Sequence, residues 1–279
     1  MGCKSMAITK AIIPVAGWGT RRLPITKVVE KAMLPVGNRP LVDYTVQDLV
    51  TAGVTDIYFV VSSENSQVEQ YYSENAVLNE YLVTHGKEDK LELTKTLPDG
   101  VTTHFFVQGE RYGTAVPVAE VVEAFEIDEP VLVCMGDDFI WNPDGETAVE
   151  SLLAAAKNGG SAILGVEVDD VSRYGVLSVA EDGMLTDIVE KPAAEEAPSN
   201  LVNVSKYVMD ADLLQKVVKY VAEHDFGPLD QEYLITDPIA EYIAEGGKMY
   251  VAPTTGAFLD GGSLEGWLEA NTVVLSGAP

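Results

Sequence analysis

Cysteine and positive charge are both scarce in this sequence. Its 279 residues include two cysteines, Cys3 and Cys134, which cannot build a disulfide framework and therefore indicate a reducing, cytoplasmic compartment. Lysine and arginine total 18 against 44 aspartates and glutamates, a formal net charge of −26. Because so acidic a chain repels nucleic-acid phosphates and anionic lipid headgroups, we expect neither a nucleic-acid nor a membrane partner. No apolar run reaches the length of a membrane span, and no signal-peptide pattern opens the chain.

The composition is that of an ordinary globular protein. Hydrophobic residues make up 47% of the chain and charged residues 22%, which argues against disorder. A length of 279 residues is enough for one large α/β domain with a substantial buried core.

Short apolar runs alternate with helical stretches over roughly the first 170 residues. The runs that we interpret as buried strands are residues 11–15, 57–61, 105–107, 131–135 and 162–166. Helices are expected at residues 40–52, 64–82, 115–125 and 147–157. This alternation predicts an α/β fold with a Rossmann-like, mainly parallel sheet covered by helices on both faces.

The pattern changes after about residue 170, where shorter strands and then helices follow one another. The strands are expected at residues 175–178, 185–190 and 201–208, and the helices at 211–222, 236–244 and 263–274. No internal repeat or low-complexity linker separates the two parts. We therefore expect a single domain, residues 1–279, with a distinct second part from about residue 171.

The few positive charges are concentrated near the amino terminus. Residues 1–40 hold seven basic side chains and one acid, Glu30, a local charge of +6 in a strongly acidic chain. The basic residues are Lys4, Lys10, Arg21, Arg22, Lys27, Lys31 and Arg39. Such a segment is explained equally by an anion-binding site and by a solvated basic face that pairs with acids elsewhere.

A glycine-containing loop follows the first predicted strand directly. Gly17 and Gly19 allow backbone N–H groups to approach a phosphate or a nucleobase closely. Arg22 stands where the dinucleotide fingerprint needs a third glycine or alanine, which argues against a nicotinamide dehydrogenase, and no Walker motif is present. Guanidinium groups can instead fork onto phosphate oxygens, so the loop favours a phosphate site over a simple turn.

The loop belongs to a longer run that resembles a known family. Residues 13–27, continued by residues 30–36, resemble the signature of sugar-1-phosphate nucleotidyltransferases, in the form found in bacterial UTP–glucose-1-phosphate uridylyltransferases. The resemblance extends over nearly the whole chain. It continues at Gln108-Gly109-Glu110, Gly113-Thr114-Ala115, Gly136-Asp137-Asp138, Tyr174-Gly175-Val176, Val189-Glu190-Lys191-Pro192, residues 195–201, Thr236-Asp237 and Asp260-Gly261-Gly262.

The resemblance implies a reaction between two polyanions. A phosphate oxygen of glucose 1-phosphate attacks the α-phosphorus of UTP, pyrophosphate leaves, and UDP-glucose forms. Fixed cations and a divalent metal suit this reaction, and neither a proton shuttle nor a covalent nucleophile is required. Arg21 is implied to hold the triphosphate and Lys31 to grip the phosphates near the α-phosphorus, while Asp137 and Asp260 bind Mg²⁺. Asp137 thus counts among the catalytic residues, and Asp138 is the alternative ligand.

Further residues are implied for the nucleotide and the sugar phosphate. The nucleotide-binding residues are Ala16, Gly17, Gly19, Thr20, Gln108 and Gly113, and the sugar-phosphate-binding residues are Gly175, Glu190 and Lys191. The first part of the chain, to about residue 170, is accordingly expected to bind the nucleotide, and the second part the sugar phosphate. Relatives of this kind also imply a homodimer or homotetramer.

Several positions depart from the family pattern and leave other functions open. Ala32, Ser205, Trp18 and the pair Val116-Pro117 differ from the usual uridylyltransferase residues, and Arg22, where an apolar residue is common, is expected to add only surface charge. A sibling enzyme that uses dTTP or GTP remains one alternative. A nucleotide-sugar-binding homologue without catalytic activity is the other.

Overall fold

Apolar, largely β-branched runs form the central sheet of the computed structural model, which describes residues 7–227, 231–254 and 256–277. Cys3 and Lys4 lie outside these residues. The strands are β1 (Lys10–Pro14), β2 (Pro35–Val36), β3 (Arg39–Pro40), β4 (Asp56–Val61), β5 (Thr102–Val107), β6 (Val131–Cys134), β7 (Asp138–Trp141), β8 (Ser161–Glu167), β9 (Gly175–Val179), β10 (Leu185–Glu190), β11 (Leu201–Met209), β12 (Met249–Pro253) and β13 (Ala257–Asp260).

Nine of these strands form one mixed sheet. Strands β5, β4, β1 and β6 lie side by side and are parallel. Strand β11 follows β6 in the antiparallel direction, and β8 and then β12 continue the sheet on its other side. Strand β9 pairs with the first half of β11 and carries β10 at the edge. The mainly parallel, Rossmann-like sheet predicted from the sequence is confirmed, with β11 and the edge strand β10 running in the opposite direction to the other strands.

Helices cover both faces of the sheet. They are α1 (Leu41–Thr51), α2 (Gln67–Tyr72), α3 (Ala76–Thr84), α4 (Val116–Ala124), α5 (Ala148–Ala156), α6 (Ala211–Glu223), α7 (Thr236–Ala244) and α8 (Leu264–Ser276). Successive side chains of β1 point to opposite faces, so Ile12 packs among residues of α4, α6 and α7, whereas Ile13 packs among residues of α1, α2 and α5. Within the described ranges, no helix has the length and apolar character needed to cross a membrane.

Local capping explains where several helices begin. Thr147 and Glu150 form a capping box at the start of α5, and Ser263 accepts a hydrogen bond from the Gly266 N–H at the start of α8. The single helix expected over residues 64–82 is wrong. It is divided into α2 and α3 because α2 ends before Ser73 and the Asn75 side chain caps a new helix.

The sequence pattern also missed the short strands β7 and β13. They pair antiparallel as a two-stranded sheet, and a small core of Leu41, Phe139, Leu259 and Ala270 packs them against α1 and α8. The four parallel strands β1, β4, β5 and β6 all end at the edge of the main sheet where the glycine loop and Asp137 follow. In open α/β sheets the carboxyl ends of the strands form the ligand crevice.

Candidate nucleotide and sugar-phosphate cleft

The glycine loop is packed tightly against Lys31. Gly19 has a φ of 59°, and a Cβ added there would lie 3.0 Å from both the Lys31 Cβ and the Thr26 Cγ2. The Thr26 hydroxyl also donates a 2.9 Å hydrogen bond to the Gly19 carbonyl. Only glycine fits both the left-handed backbone and this space, so Gly19 places Lys31 at the loop.

Two neighbouring arginines of the loop have different surroundings. Arg21 is exposed and lines the cleft. Arg22 is 6% exposed, and its guanidinium donates hydrogen bonds of 3.1 and 2.5 Å to the carbonyls of Gly261 and Ser263. It also lies over the ring of Trp267, 5.3 Å from its centroid. The expectation that Arg22 adds only surface charge is therefore wrong, because Arg22 joins the glycine loop to the segment that follows Asp260.

Asp137 and Asp260 are brought together by the pairing of β7 with β13. Asp138, the first residue of β7, lies opposite Asp260, the last residue of β13. The Gly261 N–H donates a 3.1 Å hydrogen bond to the Asp137 carbonyl. Two acids that are far apart in the sequence thus line the same cleft.

Each of these two acids has a cationic partner. Lys31 forms an ion pair with Asp137. Burial would raise the pKa of Asp137, but the charge and hydrogen bond of Lys31 outweigh it and hold that pKa below its usual value. Asp260 accepts from the Arg173 guanidinium at 3.1 Å and from the Gly262 N–H at 2.7 Å. A divalent cation would have to compete with two side-chain cations for these carboxylates.

Asp138 also lines the cleft, but its carboxylate is directed at a buried lysine. Its carboxylate pairs with Lys206, which is 2% exposed and also donates a 3.1 Å hydrogen bond to the Asp138 carbonyl. Burial raises the pKa of Asp138 to about 6, although the Lys206 charge opposes this rise. This geometry favours Asp137 over Asp138 as the cleft-facing ligand.

One end of the cleft is formed by the residues that follow β5. The Gln108 side-chain amide donates a 2.9 Å hydrogen bond to the Arg111 carbonyl, which fixes its orientation. Gly113 has a φ of 141°, and a Cβ there would lie 2.4 Å from the backbone N and O of Tyr233. Glycine is therefore required at position 113, where the loop joins the strand-like segment around Tyr233.

The other end is formed where β9 begins and β10 ends. Gly175 lies opposite Glu190 in the antiparallel pair, and a Cβ on Gly175 would lie 3.1 Å from the Glu190 Oε2. The Lys191 N–H donates a 2.9 Å hydrogen bond to the Tyr174 carbonyl. The Thr236 hydroxyl donates to the Glu190 carboxylate at 3.4 Å. A carboxylate and an exposed lysine thus lie together where β10 ends.

The cleft has a volume of about 510 Å³, and most of the predicted site residues line it. Eleven of them line it: Ala16, Gly17, Arg21, Lys31, Gln108, Gly113, Asp137, Gly175, Glu190, Lys191 and Asp260. Gly19 and Thr20 do not line it, since Gly19 packs under Lys31 and Thr20 begins a 3-10 turn. The roles of these residues remain predictions.

Comparison with known proteins decides the family. A family model described as nucleotidyl transferase matches residues 10–277. The chain belongs to the nucleotidyltransferase family. The UTP–glucose-1-phosphate uridylyltransferase of Haemophilus ducreyi is 33% identical over 278 residues, which cover 94% of this chain and 91% of that protein. The resemblance found in the sequence is thereby confirmed.

Solved structures agree with this assignment. The structure of a UTP-bound UGPase from Acinetobacter baumannii matches with a TM-score of 0.86 and 28% identity, covering 98% of this chain and 95% of that one. The structure of a UDP-glucose pyrophosphorylase complexed with UDP-glucose matches with a TM-score of 0.79 and 27% identity, covering 97% and 99%. The nucleotidyltransferase fold therefore extends over nearly the whole chain.

Three cationic residues in or behind the cleft were missed in the sequence: Arg111, Arg173 and Lys206. Arg173 directly precedes Tyr174-Gly175, but no local pattern indicates that it pairs with Asp260, 87 residues later. Lys206 did leave a signal, because it interrupts the apolar strand β11. A lysine is almost never fully buried unless it is paired.

The positions that depart from the family pattern lie in and around the cleft. Ser205 has a φ of 55°, the left-handed region that favours glycine, and it lines the cleft. Trp18 lies at the cleft with 74% of its surface exposed. Ala32 is buried in the core beneath α1. Ala32, which stands where relatives usually carry Glu or Gln, also lines the cleft, but none of the three positions is one where the family resemblance implies a phosphate or metal ligand.

Proposed function

We propose that this chain is a UTP–glucose-1-phosphate uridylyltransferase, which makes UDP-glucose and pyrophosphate from UTP and glucose 1-phosphate. One observation carries the proposal. A single cleft places Arg21 and Lys31 beside Asp137 and Asp260, between the Gln108 end and the Glu190 end. The similarity to proteins named for this activity supports the choice of substrates.

The cations of the cleft counter the repulsion between two phosphate-bearing substrates. In a chain with a net charge of −26, the exposed Arg21 and the loop-anchored Lys31 supply local positive charge where the phosphates meet. Lys31 leaves Asp137 and turns to the phosphates near the α-phosphorus, where its charge stabilises the transition state more than the ground state. Arg21 holds the triphosphate by forked hydrogen bonds.

The two acids fit a divalent cation, and we assign Mg²⁺ to them. Asp137 and Asp260 offer hard oxygen atoms, and Mg²⁺ is usually held by one or two carboxylates together with substrate phosphates. The described residues contain no group of three or more side chains that could hold a metal, which is compatible with a site completed by nucleotide oxygens. When bound, the metal supplies electrostatic stabilisation to the reacting phosphates.

The remaining residues orient the two substrates. The Gln108 amide donates to Arg111, which leaves its oxygen available to accept from the uracil N–H. The Glu190 carboxylate accepts from glucose hydroxyls beside Gly175, and Lys191 pairs with the sugar phosphate. This arrangement aligns the attacking oxygen with the α-phosphorus and the leaving pyrophosphate.

No covalent nucleophile enters this mechanism. Cys134 is free but buried, and burial raises the pKa of its thiol to about 12, so no thiolate forms at neutral pH. His85, His104 and His224 lie outside the cleft lining. The reaction depends on charge and alignment, as the family resemblance implies.

A substrate panel tests the proposal. The purified chain is mixed with glucose 1-phosphate, Mg²⁺ and UTP, dTTP or GTP in turn, and pyrophosphate release is measured. We expect release with UTP that depends on Mg²⁺ and on Lys31. Release with only dTTP or GTP would make the chain a sibling enzyme. Tight UDP-glucose binding without turnover would instead make it a non-catalytic homologue.

We likewise propose that the chain works as a homodimer or homotetramer in the cytoplasm, with its first 170 residues or so binding the nucleotide and the rest binding the sugar phosphate. Multi-angle light scattering of the purified protein gives the assembled mass, which we expect to be two or four times the chain mass of 30.0 kDa. A mass equal to that of one chain would contradict the oligomer.

A further inference from the structure

A lysine behind the cleft is almost completely shielded from water. Lys206 lies in β11, is 2% exposed, and directs its ammonium at Asp138. It pairs with the Asp138 carboxylate and donates a 3.1 Å hydrogen bond to the Asp138 carbonyl. The Thr45 hydroxyl of α1 donates to the same carbonyl at 3.3 Å. Side chains from the central sheet and from α1 therefore both hold the backbone of Asp138.

A bulge in β11 directs Lys206 toward this position. The register of β11 with β8 shifts between Asn203 and Tyr207, and Ser205 within the bulge has a φ of 55°. The Asn203 side chain accepts a 2.8 Å hydrogen bond from the Ser205 N–H. The Ser205 carbonyl accepts a 3.1 Å hydrogen bond from the Met135 N–H. The bulge is thus tied to the end of β6, two residues before Asp137.

Asp138 lies between the two acids of the cleft. It follows Asp137 in the chain and lies opposite Asp260 in the β7–β13 pair. The Asp137 carbonyl is joined to the Gly261 N–H, next to Asp260. A shift of the Asp138 backbone relative to β13 would change the distance between the Asp137 and Asp260 carboxylates, because Asp138 is bonded to Asp137 and paired with Asp260.

We propose that Lys206 is a positioning residue. It holds both the backbone and the side chain of Asp138 and thereby sets the separation of the Asp137 and Asp260 carboxylates. That separation in turn sets the affinity of the cleft for a divalent cation. The proposal rests on the proposed function only through the assignment of these two acids to the metal. Outer partners that orient metal ligands typically change metal affinity or activity by about 10- to 100-fold when they are removed.

The alternative is that Lys206 serves stability alone. Removing one partner of a buried ion pair leaves an uncompensated charge, whereas replacing both partners by apolar residues is often neutral or stabilising. The double substitution Lys206→Met with Asp138→Leu therefore restores stability without restoring the hydrogen bonds to the Asp138 backbone. Stability and metal affinity can be separated in this way.

The experiment compares Lys206→Met, the double variant and a control, Lys10→Met. Lys10 pairs with Glu129 away from the cleft, so the control removes a paired lysine and changes the net charge by the same amount as Lys206→Met, whereas the double variant leaves the net charge unchanged. Binding of Mn²⁺ is followed by electron paramagnetic resonance, with and without UTP, and unfolding by thermal denaturation. Mg²⁺-dependent turnover is then divided into kcat and the KM for the metal.

We expect both Lys206→Met, which keeps the Asp138 carboxylate, and the double variant, which unfolds near the wild-type temperature, to bind Mn²⁺ about 10- to 100-fold more weakly, with a correspondingly higher KM for Mg²⁺. The control should match the wild type in both measurements. Wild-type Mn²⁺ affinity in a stably folded double variant, or a wild-type chain that binds no Mn²⁺, would overturn the proposal. If the wild type binds Mn²⁺ but releases no pyrophosphate, the proposed function fails while the comparison of Mn²⁺ affinities still tests Lys206.

Discussion

The surface of the cleft and the layer directly beneath it use the same charged residue types in different ways. On the surface, Lys31 pairs with Asp137, and the two side chains are 16% and 37% exposed. Beneath it, Lys206 pairs with Asp138, and these side chains are 2% and 13% exposed. The two aspartates are neighbours in the chain, yet their pKa values shift in opposite directions. Lys31 lowers the pKa of Asp137 against the effect of burial, whereas burial raises the pKa of Asp138 to about 6.

The arginines of the glycine loop repeat this division. Arg21 is exposed at the cleft, whereas Arg22 is buried against the carbonyls of Gly261 and Ser263. Ion pairs near water contribute little to stability, so their charges can be exchanged for those of a ligand. Breaking a buried pair leaves a desolvated charge without compensation. Exposed cations should therefore govern activity, and buried cations should govern stability and geometry.

Lys31→Met is expected to have the largest effect, and it tests the comparison between exposed and buried cations most directly. We expect kcat for UDP-glucose formation to fall by about 10²- to 10³-fold, a loss of about 3–4 kcal/mol of transition-state stabilisation. The melting temperature should change little because the lost pair is partly exposed. Steady-state kinetics and thermal denaturation measure the two quantities. The control is Lys27→Met, because Lys27 lies in the same segment but outside the cleft lining. Unfolding of Lys31→Met would contradict the comparison between exposed and buried cations.

Arg21→Met and Arg22→Met form a matched pair for the loop. We expect Arg22→Met to lower the free energy of unfolding by about 2–3 kcal/mol, because two backbone carbonyls lose a charged donor. Arg21→Met should leave the free energy of unfolding within about 0.5 kcal/mol of the wild type and reduce activity instead. Urea denaturation measured for both variants checks this difference. Equal losses of stability would show that burial does not separate the two arginines.

The sequence predicted those parts of the site that depend on strand ends. The glycine loop, Gln108 and Asp137 each follow a strand of the parallel part of the sheet, and the ends of such strands meet at one edge of the sheet. The order of the main strands and helices was predictable because short apolar runs alternate regularly with helical stretches over the first 170 residues or so. Periodicity could not reveal the β7–β13 pairing, since it joins two four-residue strands that are more than 100 residues apart. The approach of Asp260 to Asp137 was therefore implied by the family resemblance alone.

Charge was the least predictable property. The basic residues of positions 1–40 left an anion-binding site and a basic face paired with acids equally open, and the structure divides them: Lys10 pairs with Glu129, Arg39 with Asp43, and Arg22 is buried. The burial of an arginine depends on carbonyls supplied from position 261 onward, which no local pattern in residues 1–40 contains. Lys206 was also missed, although a lysine within a strand as apolar as β11 indicates a buried partner.

Arg173→Met tests the comparison between exposed and buried cations at Asp260, the other acid of the cleft. Because Arg173 holds the Asp260 carboxylate in an exposed ion pair, its removal should free that carboxylate for a metal ion. We expect Mn²⁺ to bind about fivefold more tightly in the absence of nucleotide, which corresponds to an exposed ion pair of about 1 kcal/mol. Electron paramagnetic resonance titration measures this affinity. Arg39→Met removes an arginine paired outside the cleft and should have no effect, and weaker Mn²⁺ binding in Arg173→Met would contradict the assignment of Asp260.

The smallest expected effect concerns the pH dependence of the Lys31–Asp137 pair. Because Lys31 holds the pKa of Asp137 below its usual value in the folded chain, the unfolded chain binds more protons at this site. The pair's contribution is therefore fully present above about pH 4, the pKa of an unperturbed aspartate, and is lost as the pH falls through the folded-state value. Comparison of the wild type with Asp137→Asn, by urea denaturation from pH 3 to 6, should show a difference that diminishes toward acid pH. This difference in the free energy of unfolding should stay below about 1 kcal/mol because the pair is partly exposed.

Asp144→Asn, at an exposed loop carboxylate, provides the reference. A difference that grows toward acid pH would reverse the sign of the Lys31 effect, and one of several kcal/mol would place this pair with the buried Lys206–Asp138 pair.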